Sequence, residues 1–313
     1  MSSTKNQLML SNETVELLDQ KIEDLALPAD FADSVENFYA PLAASISERI
    51  LSSSVSPCFI GVQGSQGSGK TTCSEFLQLL LSSEHSLNTL VLSIDDFYLS
   101  RQHRFELALS EHPLLATRGV PGTHDVELIN QVFASLRNRK PVSLPKFDKA
   151  TDDQLPTELW EAWTKPVDVV LFEGWCVGLE PQDPAALSPP VNALERKEDS
   201  DAAWRTFVNK RLAGDYQKVF RQFDFQLVLQ APSFACVYDW RLKQEQKLKA
   251  ALTVDQLDAS KVMSAAQIER FISHYQRLTE HALETMPSRA DWVLELNADH
   301  SYARLVSAIR EKP

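Results

Sequence analysis

A glycine-rich stretch between residues 64 and 71 carries the residue types that bind phosphate. It reads Gly-Ser-Gln-Gly-Ser-Gly-Lys-Thr, which matches the pattern G-x-x-x-x-G-K-T. Glycines let backbone N–H groups turn toward phosphate oxygens, because no Cβ stands in the way. The Lys70 ammonium group could reach the terminal phosphates, and the Thr71 hydroxyl could bind Mg²⁺. The spacing predicts a phosphate-binding loop (P-loop) made of Gly64, Ser65, Gln66, Gly67, Ser68, Gly69, Lys70, Thr71 and Thr72.

Carboxylates follow two apolar stretches elsewhere in the chain. Asp95 and Asp96 come directly after residues 89–94, and Glu173 comes directly after residues 167–172. The carboxyl ends of parallel strands meet at the edge of the sheet where ligands bind. An acid there could accept the proton of an attacking hydroxyl or hold Mg²⁺. The residues alone leave Asp95 and Asp96 as equal candidates for the base, with helix capping as the alternative role.

Basic residues occur where they could meet an anionic substrate. Arg118 and His124 flank two glycines in a turn-rich loop, and they could bind an anionic group or be ordinary solvated loop charges. Arg241 lies in a basic helical pattern at residues 237–250. That helix could be a lid over the phosphates or simply a solvated surface helix.

The hydrophobic pattern predicts the elements that position these groups. A buried strand at residues 58–62 precedes the loop and a helix at residues 70–81 follows it. Further strands are predicted at residues 89–94, 142–147, 167–172, 225–230 and 291–296. Helices are predicted at residues 126–137, 202–220, 237–250, 265–284 and 302–310. This alternation predicts an α/β fold with a parallel sheet covered by helices on both faces.

Composition restricts the class of protein. The 313 residues are 43% hydrophobic and 24% charged, as in an ordinary globular chain. We expect a helical N-terminal extension at residues 1–55 and a domain built around the P-loop at residues 56–313, with loop and lid elements at residues 179–260. The net charge of −12 argues against nucleic acid as a partner. No apolar run is long enough to predict a membrane span.

The cysteines indicate a reducing compartment. The four cysteines have no metal-ligand spacing, so we expect free thiols. The first twenty residues are polar and acidic, without the apolar segment of a secretory signal. A cytoplasmic protein is therefore expected, and we expect a monomer.

Together these motifs resemble a known family. The P-loop, the stretch Asp-Asp-Phe-Tyr-Leu at 95–99 and the stretch Phe-Glu-Gly at 172–174 resemble the P-loop small-molecule kinases that include uridine kinase, phosphoribulokinase and bacterial pantothenate kinase. Three other stretches look like the plant-type D-glycerate 3-kinases and their fungal and bacterial relatives. They are Arg-Gly-Val-Pro-Gly-Thr-His-Asp at 118–125, Leu-Pro-Lys-Phe-Asp-Lys at 144–149 and Glu-Gly-Trp-Cys-Val-Gly at 173–178.

The resemblance implies a nucleoside-monophosphate-kinase-like sheet and transfer of a phosphoryl group from ATP, with Mg²⁺, to a small-molecule hydroxyl. D-glycerate is the favoured acceptor, and pantothenate-like or uridine-like acceptors are alternatives. By motif position it implies Asp95 as the base, Glu173 as the strand-end acid beside Mg²⁺, and Arg241 in the lid. The acceptor would lie among Asp95, Tyr98, Arg118, His124 and Lys146.

A nucleotide-hydrolysing switch is the alternative from a different class of protein. Guanine-specific switches typically carry Asn-Lys-x-Asp, whereas Asn209-Lys210 is followed here by Arg211-Leu212. The sequence therefore lacks that signature.

Overall fold

The apolar stretches pair into one central sheet. The computed structural model describes residues 10–53, 55–251 and 263–308. Its strands are β1 (Cys58–Gly64), β2 (Thr89–Ser93), β3 (Val142–Leu144), β4 (Phe147–Asp148), β5 (Asp153–Gln154), β6 (Glu161–Trp163), β7 (Val169–Gly174), β8 (Phe225–Gln230), β9 (Trp292–Leu296) and β10 (Tyr302–Ser307). Six of them form the main sheet in the order β10-β9-β8-β1-β7-β2.

Helices connect and cover these strands. They are α1 (Asn12–Asp24), α2 (Phe31–Ser34), α3 (Ala40–Leu51), α4 (Lys70–Ser83), α5 (Arg101–Ser110), α6 (Val126–Arg137), α7 (Ala193–Glu198), α8 (Ala203–Arg211), α9 (Gln217–Phe220), α10 (Phe234–Ala251), α11 (Ala265–Ser273) and α12 (Gln276–Thr285). A π-helical turn, Val35–Tyr39, continues α2 into α3, and another, Leu212–Tyr216, continues α8 into α9.

The strands around β1 are parallel, and this brings the predicted site residues to one edge. β1 pairs in parallel with β7 and β8, and β2 pairs in parallel with β7. In this register Glu173 of β7 lies opposite Val62 of β1 and opposite Ser93 of β2. The P-loop, Glu173 and the Asp95-Asp96 pair therefore lie together at the carboxyl edge, as the sequence predicts.

Both faces of the sheet are buried, which confirms the predicted layers. Along β1, Phe59 packs into the apolar cluster on one face and Ile60 into the cluster on the other. The N-terminal helices join the second cluster, where Tyr39 and Leu42 share the core with Phe76 of the P-loop helix. The ring centroids of Tyr39 and Phe76 are 5.7 Å apart. The N-terminal helices are therefore part of the core.

The predicted last helix at residues 302–310 is wrong. Residues 302–307 form β10, which pairs antiparallel with β9 as a hairpin, while residues 309 and 310 lie outside the described part of the chain. The register shifts between Tyr302 and Arg304 because of a bulge. Tyr302 and Leu305 consequently pack against the same apolar cluster. An i, i+3 spacing is typical of a helix, and the bulge produces it in a strand.

Two other predicted elements differ from the structure. The strand predicted at residues 142–147 is interrupted at Pro145, which has no N–H to donate. Its two parts belong to separate two-stranded ribbons, β3 with β6 and β4 with β5, outside the main sheet. The helix predicted at residues 265–284 is divided into α11 and α12.

The segment at residues 179–200, which belongs to the region of expected loop and lid elements, is partly helical. It contains α7, and Glu195 of α7 is buried in an ion pair with Arg277 of α12. Arg277 also donates hydrogen bonds to the carbonyls of Ala186 and Pro189. These contacts fix the segment against α12. Residues 252–260 of the predicted lid region lie outside the described part of the chain.

Two absences can be stated for the residues described. None of their helices has the length and apolar character needed to cross a membrane. No disulfide joins any of the four cysteines, all of which lie in the described part of the chain, in agreement with the prediction.

Candidate active site

The P-loop connects the end of β1 at Gly64 to the start of α4 at Lys70. Gly69 has a φ of +82°, in the left-handed region that side chains with a Cβ rarely adopt. This turn directs the N-terminus of α4, with its free N–H groups and partial positive charge, to the carboxyl edge of the sheet. The loop therefore has the local geometry of an anion site.

Unsatisfied polar atoms show that this loop suits a phosphorylated ligand. Among the described residues, the hydroxyls of Ser65 and Ser68 and one carboxylate oxygen of Glu173 are buried without a hydrogen-bond partner. Buried polar atoms are nearly always partnered in folded proteins. Phosphate oxygens of ATP would satisfy the two hydroxyls.

Thr71 and Glu173 are the residues that could hold Mg²⁺. The Thr71 hydroxyl donates to Glu173 Oε1 at 3.0 Å, so the two side chains already face each other. In the described ranges, no group of three or more His, Cys, Asp or Glu side chains could hold a metal ion by itself. Mg²⁺ commonly takes few protein ligands and completes its shell with phosphate oxygens and water. The residues present therefore fit a metal that arrives with ATP.

A cavity of about 600 Å³ opens beside the P-loop. Its lining includes Gln66, Gly67, Gly69, Lys70, Thr71 and Thr72 from the loop and the start of α4. It also includes Asp95, Tyr98, Arg118, Glu173 and Arg241 among the residues singled out in the sequence. The structure therefore brings most of the predicted site residues to one cavity.

Asp95 and Asp96 point to different places. Residues Ile94–Phe97 form a 3₁₀ turn. Asp95 accepts hydrogen bonds from Tyr98 Oη and Lys149 Nζ, each at 2.7 Å, inside the P-loop cavity. Asp96 accepts from Lys146 Nζ at 3.1 Å and lines a separate cavity. Of the two acids, only Asp95 lines the P-loop cavity.

The charge state of Asp95 suits a proton acceptor. Burial alone would raise its pKa, but the positive charges of Lys149 and Lys70 outweigh burial and lower the pKa from 3.8 to about 2. Asp95 is therefore ionised at neutral pH.

Arg118 is held at the cavity by the hairpin of β4 and β5 and by Tyr275, which lies between α11 and α12. It forms an ion pair with Asp152, and its guanidinium carbon lies 5.4 Å from the centroid of the Phe147 ring. Tyr275 Oη donates to the Arg118 carbonyl at 2.9 Å. Gly119 follows at a φ of +127°, and a Cβ there would collide with the Tyr275 hydroxyl. This close approach explains the glycine after Arg118.

His124 does not line the P-loop cavity, which corrects the expectation of a charged contact with an anion. Its Nδ1 is hydrogen-bonded to Tyr216 Oη at 2.6 Å, and its ring stacks on Tyr98 with centroids 4.6 Å apart. Burial lowers the pKa of His124 from 6.5 to about 3. The imidazole is therefore neutral at physiological pH, and it packs against the ring of Tyr98.

Lys146 is also displaced from the predicted site. It pairs with Asp96 and lines the separate cavity of about 300 Å³, whereas Lys149, three positions later, lines the P-loop cavity. The sequence could have indicated Lys149 as a site residue as well, since both lysines belong to the stretch Leu-Pro-Lys-Phe-Asp-Lys. Lys146 precedes β4 and contacts Asp96, whereas Lys149 lies in the turn between β4 and β5 and contacts Asp95.

Arg241 extends from α10 into the cavity. It donates to Glu245 Oε2 at 2.7 Å and lies 5.6 Å from the centroid of the Phe271 ring in α11. Glu245 in turn accepts from the backbone N–H of Met263 at 2.7 Å. These contacts join α10 to α11 beside the cavity.

The sequence analysis did not predict three residues that line this cavity, Glu245, Phe271 and Tyr275. Nothing in their local sequence pattern distinguishes them from ordinary core or surface residues.

A parallel sheet with this loop, a strand-end Glu173 and Asp95 beside Lys70 defines a P-loop kinase. The sequence profile of the phosphoribulokinase / uridine kinase family matches residues 59–180. An uncharacterized kinase of Schizosaccharomyces pombe is 36% identical over 228 residues, covering 70% of this chain and 78% of that protein. The chain belongs to the phosphoribulokinase / uridine kinase family, which confirms the resemblance, and it is an ATP-dependent kinase of small molecules.

Two further relatives carry a substrate in their names. The chloroplastic D-glycerate 3-kinase of Arabidopsis thaliana is 28% identical over 251 residues, covering 76% of this chain and 51% of that protein, so the chain spans about half of its length. The structure of a D-glycerate 3-kinase from Cryptococcus neoformans var. grubii superposes with a TM-score of 0.70 at 26% identity. That match covers 86% of this chain and 97% of the other.

Proposed function

We propose that this protein transfers the γ-phosphoryl group of ATP to the 3-hydroxyl of D-glycerate, giving 3-phosphoglycerate. The observation that carries the proposal is a single cavity lined by Lys70, Asp95 and Arg118. It joins a phosphate site, an ionised carboxylate and a cation suited to the carboxylate of the acceptor. Similarity to proteins named D-glycerate 3-kinase supports this acceptor.

Each residue has a separate task in the proposed reaction. When bound, ATP with Mg²⁺ supplies the phosphoryl group and neutralises charge that develops on it. Lys70 and the P-loop N–H groups would hold the terminal phosphates, and Thr71 and Glu173 would hold the metal. Asp95 receives the proton of the attacking hydroxyl as the new O–P bond forms and the bond to the ADP oxygen breaks. Tyr98 orients the Asp95 carboxylate through its 2.7 Å hydrogen bond.

The charge balance of the cavity favours anionic ligands. Among the described residues its lining includes four cationic side chains, Lys70, Arg118, Lys149 and Arg241, and three carboxylates, Asp95, Glu173 and Glu245. The whole chain carries a net charge of −12, so this is a local positive excess in an acidic protein. Such an excess is expected where both substrates carry negative charge.

A panel of acceptors tests the proposal. We expect ADP formation from ATP and Mg²⁺ to depend on D-glycerate, with 3-phosphoglycerate as the product, and to be much slower with L-glycerate, glycerol, pantothenate and uridine. Turnover of pantothenate or uridine without turnover of D-glycerate would assign a different acceptor. ADP formation that needs no acceptor would favour a nucleotide-hydrolysing switch.

A further inference from the structure

The β4–β5 hairpin, residues 147–154, is attached to three residues of the P-loop cavity. Lys149 Nζ donates to Asp95 Oδ2 at 2.7 Å. Asp152 forms the ion pair with Arg118. Gln154 Nε2 donates to the carbonyl of Tyr98 at 2.9 Å. One short element therefore contacts the proposed base, the tyrosine that orients it and the cation beside it.

Asp152 is itself held in place by a buried arginine. Its Oδ2 pairs with Arg104 Nη2 at 3.0 Å, and its carbonyl accepts from the same nitrogen at 2.7 Å. Arg104 is only 1% exposed and also donates to the carbonyls of Leu99 and Ala116. The Asp152 carboxylate thus bridges a fixed buried cation and Arg118. This bridge restricts the orientation of the Arg118 side chain.

The position of Lys149 determines what it can contact. The attacking hydroxyl of an acceptor must lie within hydrogen-bond reach of Asp95. Lys149 is already within that reach, so an acceptor bound there lies beside its ammonium group. A lysine has three donors, and the bond to Asp95 uses one of them. The other two are available to an anionic group of the acceptor.

We propose that the β4–β5 hairpin is the element that recognises an anionic group on the acceptor. Lys149 contacts that group directly, and Asp152 is a positioning residue that orients Arg118 toward it. This inference rests on the proposed function for the identity of the acceptor. It adds two residues to the site and assigns the acceptor a chemical class, a small hydroxy acid.

Lys146 provides a matched control for Lys149. The side chains of Lys146 and Lys149 are 61% and 62% exposed, and each pairs with one aspartate of the Asp95-Asp96 pair. Lys146 lines the separate cavity next to Asp96 instead of the P-loop cavity. Lys146→Met therefore removes a comparable surface ion pair without changing the acceptor site.

The test compares kcat/KM for D-glycerate and for glycerol in the wild type, Lys149→Met, Lys149→Arg, Lys146→Met and Asp152→Asn. Glycerol keeps the hydroxyls and lacks the carboxylate. Because loss of Lys149 also changes Asp95, which acts on both acceptors, the ratio of the two values isolates recognition of the anion. For Lys149→Met we expect the ratio to fall by about 10- to 100-fold, the size of a charge-assisted hydrogen bond.

The other variants have defined expectations. The fall in Lys149→Met should come mainly from a higher KM for D-glycerate, with the KM for ATP unchanged. Lys149→Arg should recover part of the loss, and Lys146→Met should stay within about twofold of the wild type, as for an exposed ion pair. Asp152→Asn, which tolerates the left-handed φ of +58° at this position, should raise the KM for D-glycerate and not that for ATP.

Two results would overturn the inference. One is an equal loss of activity toward both acceptors in Lys149→Met, and the other is an equal impairment of Lys146→Met. A wild type that prefers uncharged acceptors also overturns it, yet leaves the kinase class intact. If the wild type uses another hydroxy acid instead of D-glycerate, the acceptor proposed above is wrong. The same comparison with that acid and its uncharged analogue then tests the hairpin.

Discussion

The hydrogen bonds of His124 leave one of its ring nitrogens without a partner. Tyr216 Oη accepts from the N–H of Gly122 at 2.9 Å and is hydrogen-bonded to His124 Nδ1 at 2.6 Å. Because a phenol has one proton and two acceptor lone pairs, the bond to Nδ1 can run in either direction. Among the described residues, His124 Nε2 is buried without a hydrogen-bond partner. Such a site favours the neutral imidazole, since the charged ring would bury an N–H without an acceptor.

Stability should therefore depend on pH through His124. In the unfolded chain the imidazole binds a proton near pH 6.5, whereas burial lowers its folded pKa to about 3. The folded state consequently loses stability as the pH falls from about 6.5 toward 3. His124→Asn keeps a side chain that can hydrogen-bond to Tyr216 and removes the titration. We expect the unfolding free energy in urea to fall more between pH 7.5 and pH 5 in the wild type than in His124→Asn.

The comparison is controlled, because the other six histidines are the same in both proteins. Equal pH dependence in the two proteins would show that His124 is not buried as a neutral group. The experiment would then restore a protonated His124 as a candidate contact for an anion.

Individual site residues were predictable to different degrees. The spacing of Gly64, Lys70 and Thr71 is specific by itself, and the resemblance selected Asp95 over Asp96. The choice between Lys146 and Lys149 could not be predicted, because Lys146 precedes β4, whereas Lys149 lies in the four-residue turn between β4 and β5. Side chains on the two sides of so short a strand can face different cavities, and no hydrophobic periodicity indicates which.

At the scale of elements, burial on both faces made the central strands easy to predict. β8 has the predicted bounds, and β1, β2 and β7 differ from prediction by two residues or fewer at each end. A strand that is buried on both faces appears in the sequence as a continuous apolar run, which is an easily recognised pattern. The errors occur at β10 and around Pro145, where a bulge and a proline interrupt the ordinary period. Edge elements have weaker patterns because one side of them meets solvent.

Helix α6 offers a direct test of a predicted element boundary. The predicted helix begins at residue 126, directly after its N-cap Asp125, whose Oδ1 accepts from the N–H of Leu128 at 2.9 Å. We expect Asp125→Ala to lower the unfolding free energy by about 1 kcal/mol, and Asp125→Asn to lower it much less, because Asn also caps helices well. Urea unfolding of both variants measures this. Equal losses of unfolding free energy in the two variants would mean that the negative charge of Asp125, and not its capping hydrogen bond, stabilises α6.

At the scale of the whole molecule, the N-terminal helices and the P-loop helix share one core. Leu42 of α3 is completely buried in the same cluster as Leu77 of α4, whereas Leu17 of α1 is 46% exposed. The amphipathic pattern at residues 1–55 predicted helices there. It did not show which face of the sheet they cover, since that depends on contacts between residues far apart in the chain.

This shared core predicts a large effect of a distant substitution on stability. Leu42→Ala should lower the unfolding free energy by about 2–5 kcal/mol, as expected for a leucine removed from a packed core. The control Leu17→Ala should change it by about 0.5 kcal/mol or less. The KM for ATP should be unchanged in both variants at temperatures where they are folded. A small effect of Leu42→Ala would show that the N-terminal helices are only loosely attached.

The mechanism proposed for the whole molecule depends on Asp95 as the base, and its neighbour Asp96 is the natural control. The most direct measurement is kcat with D-glycerate, together with the Kd for ATP, in Asp95→Asn and Asp96→Asn. We predict that Asp95→Asn lowers kcat by about 10²- to 10⁴-fold while the Kd for ATP changes much less, because the P-loop contacts remain. Asp96→Asn should keep most of its activity. Retention of kcat within a few-fold of the wild type by Asp95→Asn, or loss of activity in Asp96→Asn instead, would contradict the account.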